Sequence, residues 1–166
     1  MTSRIPLVIA GTQVEELQTS DTLNLTASTT NLAALFSNAA EVATITASAP
    51  ASTTNFDVLT QSVQYYTTNT ANNWTLNIRG SSTVSLNTIM STGQSITLAF
   101  MATNSSTAYY NSAVNVDGTA SGVTTKWQGG TAPTSGNVSA VDIYTYTIVK
   151  TGSAAYTVFA SVTKFA

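Results

Sequence analysis

Two runs of β-branched and aromatic residues near the end of the chain constrain its fold most strongly. They occupy residues 141–149 (VDIYTYTIV) and 155–162 (AYTVFASV), and such residues fit a pleated surface. In the first run, odd- and even-numbered side chains face opposite ways, because successive residues of a strand alternate. Residues 150–154 form a short connection with one glycine, which favours a β-hairpin. Since an isolated hairpin is barely stable in water, the rest of the chain must supply strands that bury it.

The segment before this hairpin, residues 126–134 (KWQGGTAPT), contains a Gly-Gly pair and a proline close together. We expect a long irregular loop here, with Trp127 as a buried structural anchor and Gly129 and Gly130 turning the backbone sharply past it. The Gly-Gly pair is not typical of a phosphate-binding loop, because no Lys-Ser or Lys-Thr and no predicted helix follows it.

Most of the chain upstream shows the same alternation in shorter runs. Residues 74–79 and 95–102 alternate apolar and polar side chains, and residues 86–90 favour a single helical turn closed by Gly93. About eight or nine short strands at intervals of roughly ten residues predict an all-β fold, an antiparallel β-sandwich of jelly-roll-like topology. We assign this sandwich domain to residues 24–166. Other strands are expected at residues 41–47, 56–59, 62–67 and 114–118.

Residues 1–23 differ in composition from the rest and are predicted to form an extended N-terminal arm. Pro6 opposes a helix around it, and Glu15, Glu16 and Asp21 are three of the seven acidic residues. The arm is interpreted as a docking segment for a neighbouring subunit or a larger particle. A plain edge strand of the same domain is the alternative, and the sequence leaves both open. Residues 20–23 favour a turn, and residues 31–36 favour one or two helical turns.

Charge excludes several classes of partner. Charged residues make up 7% of the chain, against about a quarter in typical soluble domains. The net charge of −2 gives no basic surface for nucleic acid. The five Lys and Arg residues are scattered, and no apolar run is long enough to span a membrane, so membrane insertion is not expected. No signal peptide is expected at residues 1–10.

The residue types for most catalysis are missing. The chain has no histidine and no cysteine, which removes Ser-His-Asp and Cys-His nucleophiles and nearly every zinc site. Glycoside hydrolysis needs two carboxylates, and Asp57, Asp117 and Asp142 are the candidates. The favoured interpretation is structural: Asp57 and Asp142 bind backbone amides or cationic side chains at strand ends, and Asp117 belongs to a turn. We therefore predict no enzyme and no catalytic, cofactor-binding or metal-binding residue.

Two pairs of adjacent tyrosines are the candidates for contact with a partner or a glycan. They are Tyr65 with Tyr66 and Tyr109 with Tyr110. Neighbouring residues of a strand face opposite sides, so one member of each pair is expected to point outward. The aromatic residues of the closing hairpin are interpreted as core or interface instead.

Several of these motifs together resemble a small β domain found in structural proteins of tailed bacteriophages, especially cyanophages. The resemblance covers most of the chain and marks an architecture rather than a reaction. It rests on residues 5–9, 14–17, 21–23, 73–79 (NWTLNIR), 86–95, 126–133, 141–146 and 159–166.

The resemblance implies a non-enzymatic virion component, assembled in the host cytoplasm and exposed on the particle. It implies a homo-oligomer, expected as a trimer, that forms a surface appendage such as a tail fibre or fibre knob. Contacts with other virion proteins are expected through the N-terminal arm. Two alternatives stay open: a capsid decoration or cement protein on the head, and a carbohydrate-binding module that recognises a host surface glycan.

Overall fold

The computed structural model describes residues 7–10, 13–16 and 43–166. The chain divides into two compact units, residues 1–39 and 40–166. In the first unit, strands β1 (Leu7–Ala10) and β2 (Gln13–Glu16) form an antiparallel hairpin. The turn predicted at residues 20–23 and the helical turns predicted at residues 31–36 lie outside the described residues. Docking by the N-terminal arm stays a prediction.

The regular elements of the second unit are almost all strands, which confirms the all-β class. Its only α-helix in the described range is one turn long, and the described residues contain no helix able to cross a membrane. In chain order the elements are β3 (Ala43–Thr46), β4 (Thr53–Asp57), β5 (Val63–Tyr66), β6 (Trp74–Arg79), α1 (Leu86–Ile89), β7 (Ser95–Thr103), β8 (Asn111–Val116), β9 (Val123–Trp127), a 3-10 turn (Gln128–Gly130), β10 (Val141–Gly152) and β11 (Ala155–Phe165).

The strands form two sheets, one of six strands in the order β3-β5-β7-β10-β11-β9 and one of three in the order β4-β6-β8. From β3 to β8 the chain alternates between the sheets, so each sheet receives every second strand and its neighbours run parallel. Only β7, β10 and β11 pair antiparallel within the larger sheet. The prediction of an antiparallel, jelly-roll-like sandwich is therefore not confirmed: the three-stranded sheet is parallel and the six-stranded sheet is mixed.

The closing hairpin of β10 and β11 is confirmed and is longer than predicted. Its strands pair from Val141 opposite Phe165 to Lys150 opposite Tyr156, with a register shift between Lys150 and Gly152. The two sets of side chains face opposite ways, as the alternation predicted, and the structure shows the even-numbered set of residues 142–150 buried and the odd-numbered set more exposed. Lys150, expected in the connecting loop, is instead a buried residue of β10.

The core lies between the two sheets. Trp74 of β6 is fully buried, and its ring centroid lies 5.7 Å from the ring of Phe100 on β7 and 5.7 Å from that of Tyr144 on β10. These contacts bring the inner faces of the two sheets together around one hydrophobic cluster. The irregular loop predicted from residue 126 begins two residues later, because Lys126 and Trp127 end β9, a strand that pairs parallel with β11.

Candidate functional site

The first candidate carboxylate, Asp57, forms a salt bridge within the smaller sheet. Asp57 of β4 lies opposite Arg79 of β6 in the parallel register, so their side chains share one face. Nε of Arg79 donates to Oδ1 of Asp57 at 2.6 Å. This cationic partner is the structural role that the sequence predicted for Asp57.

Asp117 and Lys150 hold the two ends of the one-turn helix α1. Asp117 follows β8 at φ +51°, in the predicted Asp-Gly turn. Its carboxylate accepts hydrogen bonds from the backbone N–H groups of Leu86 at 2.6 Å and Asn87 at 2.9 Å. Nζ of Lys150 donates to the backbone oxygens of Asn87 at 2.6 Å and Met90 at 2.7 Å. These bonds satisfy backbone groups that a helix leaves unpaired at its ends.

Asp142 is fully buried at the start of β10 and lies at the centre of an amide network. One carboxylate oxygen accepts from Nδ2 of Asn137 at 2.7 Å. The other accepts from the Asn137 backbone N–H at 2.9 Å and from Nδ2 of Asn104 at 3.0 Å. Oδ1 of Asn104 in turn accepts from Thr70 and from the Tyr109 backbone N–H. The network ties the loops before β8 and β10 together, so the carboxylate is occupied by structural partners.

Five of the seven charged side chains in residues 43–166 are thus used inside the fold. The other two, Lys126 and Lys164, have no hydrogen bond or salt bridge within the described residues and are exposed. The described residues also contain no group of three or more acidic, histidine or cysteine residues that could hold a metal ion. The surface of this unit therefore carries very little charge.

The four candidate tyrosines do not form one contact surface. Tyr66 lies in the core with its ring 5.2 Å from that of Phe100, whereas Tyr65 points to the outer side of the same strand. Tyr109 and Tyr110 are both half-buried in the loop before β8, and Tyr109 packs against the core. Of the four, only Tyr65 lies on the outer face of the six-stranded sheet.

The predicted anchor around Trp127 lies at the edge of the core. Its ring meets those of Tyr144 and Tyr146 edge-on, with centroids 6.4 and 6.2 Å apart, yet the side chain is only partly buried. Gly129 and Gly130 follow at φ +76° and +81°, a backbone conformation that residues with a Cβ rarely adopt. The two glycines turn the chain directly after the indole.

The tyrosines of the hairpin are deeply placed. Burial raises the pKa of Tyr144 and Tyr146 well above its usual value, and it raises the pKa of Tyr156 from 10.0 to about 12. The hydroxyl of Tyr146 donates to Oδ1 of Asn111 at 3.0 Å. These phenols stay protonated at neutral pH and act as core residues.

An apolar groove of about 470 Å³ opens beside α1. None of its lining residues is charged, and its rim carries the exposed side chains of Leu59 and Ile89. Strand β5 begins at Val63, which lies opposite Ala99 of β7. Residues 95–98 of β7 therefore pair with β10 on one side only, and their other side borders the groove. The groove can receive an apolar group but offers no side chain for acid–base chemistry.

The outer face of the six-stranded sheet carries the second uncharged surface. Ile45, Tyr65, Met101 and Ile143 lie side by side on β3, β5, β7 and β10, in direct register from strand to strand. We call these four residues the apolar ladder. Across the six strands, all within the described residues, Lys126 at the edge is the only charged side chain on this face.

No protein-family model, no curated protein and no solved structure matches this chain. Its function therefore has to be inferred from its own residues.

The apolar ladder was missed in the sequence because it depends on strand order. The alternation placed Ile143 on one side of β10, but it did not show that this side faces away from the core. It also did not place Met101 and Tyr65 beside Ile143, because 36 residues separate Tyr65 from Met101 and 42 separate Met101 from Ile143. The one available signal was the lack of charge at alternate positions of residues 95–102 and 141–149.

Proposed function

We propose that this chain is a non-enzymatic structural component of a tailed-bacteriophage virion. In this proposal it forms a homo-oligomer, expected as a trimer, within a surface appendage such as a tail fibre or fibre knob. The N-terminal arm, residues 1–23, contacts other virion proteins. The observation that carries the proposal is the uncharged outer face of the six-stranded sheet, together with the phage resemblance of the sequence motifs.

The physical reason lies in how sheets meet solvent. A sheet with one face in water usually carries polar and charged side chains on that face, and a net charge keeps monomers apart. Here three carboxylates and two cations are used to hold strands, loops and α1 in place. This use of charge inside the fold suits a subunit whose surface is covered in an assembly, and it supports a structural role for the carboxylates.

Mass spectrometry of purified virions tests the assignment. We expect peptides of this chain in particles that have been washed at high salt, at a copy number matching other appendage proteins. Absence of the chain from particles, with the protein present in the infected-cell lysate, would contradict a virion role.

The position of the chain on the particle separates the two virion roles. In an electron density map of an intact virion, the β domain is expected on the tail or its fibres. Density for the same domain on the outer surface of the head would instead assign it as a capsid decoration or cement protein.

A depression beside Phe159 favours the carbohydrate-binding alternative. It has a volume of about 350 Å³, and its walls combine the exposed Phe159 ring with the hydroxyls of Thr145, Thr147 and Ser161 and with Gln128. An aromatic face flanked by hydrogen-bonding groups suits a sugar ring. Under this alternative, a glycan array gives binding that Phe159→Ala abolishes and Leu59→Ala, a change of an exposed residue in the groove, preserves. If the wild-type protein bound no glycan on the array, the carbohydrate-binding alternative would be excluded.

A further inference from the structure

The apolar ladder places four large apolar side chains in one row on a face turned away from the core. Ile45 is 60% exposed, and Tyr65, Met101 and Ile143 follow it in register across three further strands. We propose that a second copy of this chain covers this ladder, ladder against ladder. The proposal rests on the homo-oligomer of the proposed function and names the surface that forms it. A contact of ladder against ladder is isologous and pairs two copies, so it predicts a dimer in place of the trimer that the resemblance implies.

The strand register around the ladder leaves its outer side available to a partner. Strands β3, β5 and β7 pair so that Ile45, Tyr65 and Met101 share one face. The inner face of this part packs on the core through residues such as Tyr66 and Phe100. The second sheet of residues 43–166 lies on this inner side, so a layer on the outer face has to come from outside residues 43–166. We assign that layer to a partner subunit.

The area of the face fits a stable interface between proteins. Its six strands contain 4, 4, 9, 12, 11 and 5 residues. With a rise of about 3.3 Å per residue and a strand spacing of about 4.8 Å, each residue covers roughly 16 Å² of sheet. The face therefore measures roughly 700 Å², close to the roughly 800 Å² that each partner buries in a standard interface.

The chemistry of the face favours the same face of another copy as its partner. Rows on either side of the ladder hold Val63, Ala99 and Val141, and Phe165 is exposed at the end of one of them. A charged partner would lose hydration against such a surface without gaining an opposite charge. Two identical uncharged surfaces avoid that loss, and an isologous contact needs only one self-complementary patch.

Charges introduced at the centre of the ladder test the proposal in the full-length protein. Met101→Glu and Met101→Lys are each expected to raise the dissociation constant of the oligomer about 100-fold or more, because like charges would be buried together. A 1:1 mixture of the two variants is expected to reassociate, since opposite charges then meet across the interface. Thr53→Glu and Thr53→Lys are the matched controls, because Thr53 is an exposed strand residue of the other sheet. Sedimentation velocity gives the mass in each case, and circular dichroism checks the fold.

Ile45→Glu provides a second variant at a position too exposed to disturb folding, and it is expected to dissociate the oligomer as well. A monomeric wild-type protein, or variants that keep the wild-type mass, would overturn the proposal. Variants that dissociate but do not reassociate when mixed would also overturn it, because the ladder would then contact a different surface. The virion assignment is tested separately by mass spectrometry of particles, so either conclusion can fail alone.

Discussion

At the scale of single residues, burial separates the two tryptophans of the chain. Trp74 is fully buried between Phe100 and Tyr144, whereas Trp127 is only partly buried at the core edge. We expect Trp74→Ala to cost about 3–5 kcal/mol of unfolding free energy. Trp127→Ala is expected to cost less, about 1–2 kcal/mol, because folding removes less of the apolar area of that side chain from water. Urea unfolding of both variants measures the difference. An unshifted transition for Trp127→Ala would show that this ring stabilises nothing.

The buried Tyr156 hydroxyl is expected to make the unfolding free energy depend on pH above pH 10. Its hydroxyl is buried without a hydrogen-bond partner among the described residues, and its pKa is raised to about 12 in the folded protein. An unfolded tyrosine ionises near pH 10, so this phenol favours folding fully below pH 10. Its contribution is lost progressively as the pH rises between about pH 10 and 12.

Tyr156→Phe is therefore expected to leave stability at pH 7 within about 0.5 kcal/mol of wild type, because no hydrogen bond is lost. Above pH 10 its unfolding free energy should fall less steeply than that of wild type. Urea unfolding at several pH values from 7 to 11.5 measures both effects. Equal alkaline slopes in the two proteins would contradict a buried phenol.

At the scale of elements, helix α1 depends on side chains from distant strands. The Asp117 carboxylate binds its first N–H groups. Asp117→Ala should cost about 2 kcal/mol, because it removes both bonds and leaves a Cβ-bearing residue at positive φ. Asp117→Asn keeps one acceptor and tolerates this φ, so about half that cost is expected. Hydrogen exchange at Leu86 and Asn87 should accelerate most in the alanine variant. If both variants kept the wild-type protection at Leu86 and Asn87, α1 would be stable without this contact.

The tight turn of the closing hairpin carries a small strain. Ala154 lies at φ +49°, which costs an L-residue with a Cβ roughly 1 kcal/mol. Ala154→Gly is expected to stabilise the protein by about 0.5 kcal/mol after the larger entropy of glycine in the unfolded chain is subtracted. Ala155→Gly, one residue later in β11, should destabilise it by a similar amount. Thermal unfolding of the two variants should shift in opposite directions.

The sequence indicates where the strands and the helix lie better than it indicates which of them are neighbours. The alternation at Trp74, Leu76 and Ile78 predicted β6 with its bounds and its buried face, and the helical turn at Leu86 was found as α1. Strand order and direction were not predicted, because alternation specifies which face a residue occupies but not which strand lies beside it. Strand β9 was missed since its Thr-Thr-Lys segment lacks apolar alternation.

At the scale of the whole molecule, the described domain is held by apolar packing and by hydrogen bonds, and five of its seven charged side chains take part in those bonds. Its three carboxylates and four cations leave a small net charge, with only Lys126 and Lys164 unpaired within residues 43–166. An oligomer formed through the apolar ladder has no ion pair at its centre. Its mass is therefore expected to stay the same from low salt to 1 M NaCl, since salt screens charges and not apolar contacts. Dissociation at high salt would indicate a charged interface elsewhere.

The sequence predicts only part of the candidate site, because contacts between distant strands and loops leave no local pattern. The sequence identified Asp57 and Asp142 as structural carboxylates, and their contacts with Arg79 and with Asn104 and Asn137 agree with that interpretation. The partners of Asp142 come from loops, which carry no periodic signal. The apolar ladder needs the pairing of strands far apart in the chain, and no local pattern encodes that pairing.

Because the strands alternate between two sheets, we expect them to form in a definite order during folding. The β10–β11 hairpin closes over two residues, and such hairpins form in about 1–10 μs. By contrast, β3 meets β5 across 20 residues and β5 meets β7 across 36, and each parallel pair must first overcome the entropy of loop closure. The chain is thus expected to condense from its C-terminal end, and the earlier strands, β3 last among them, to add onto a hairpin that is already formed.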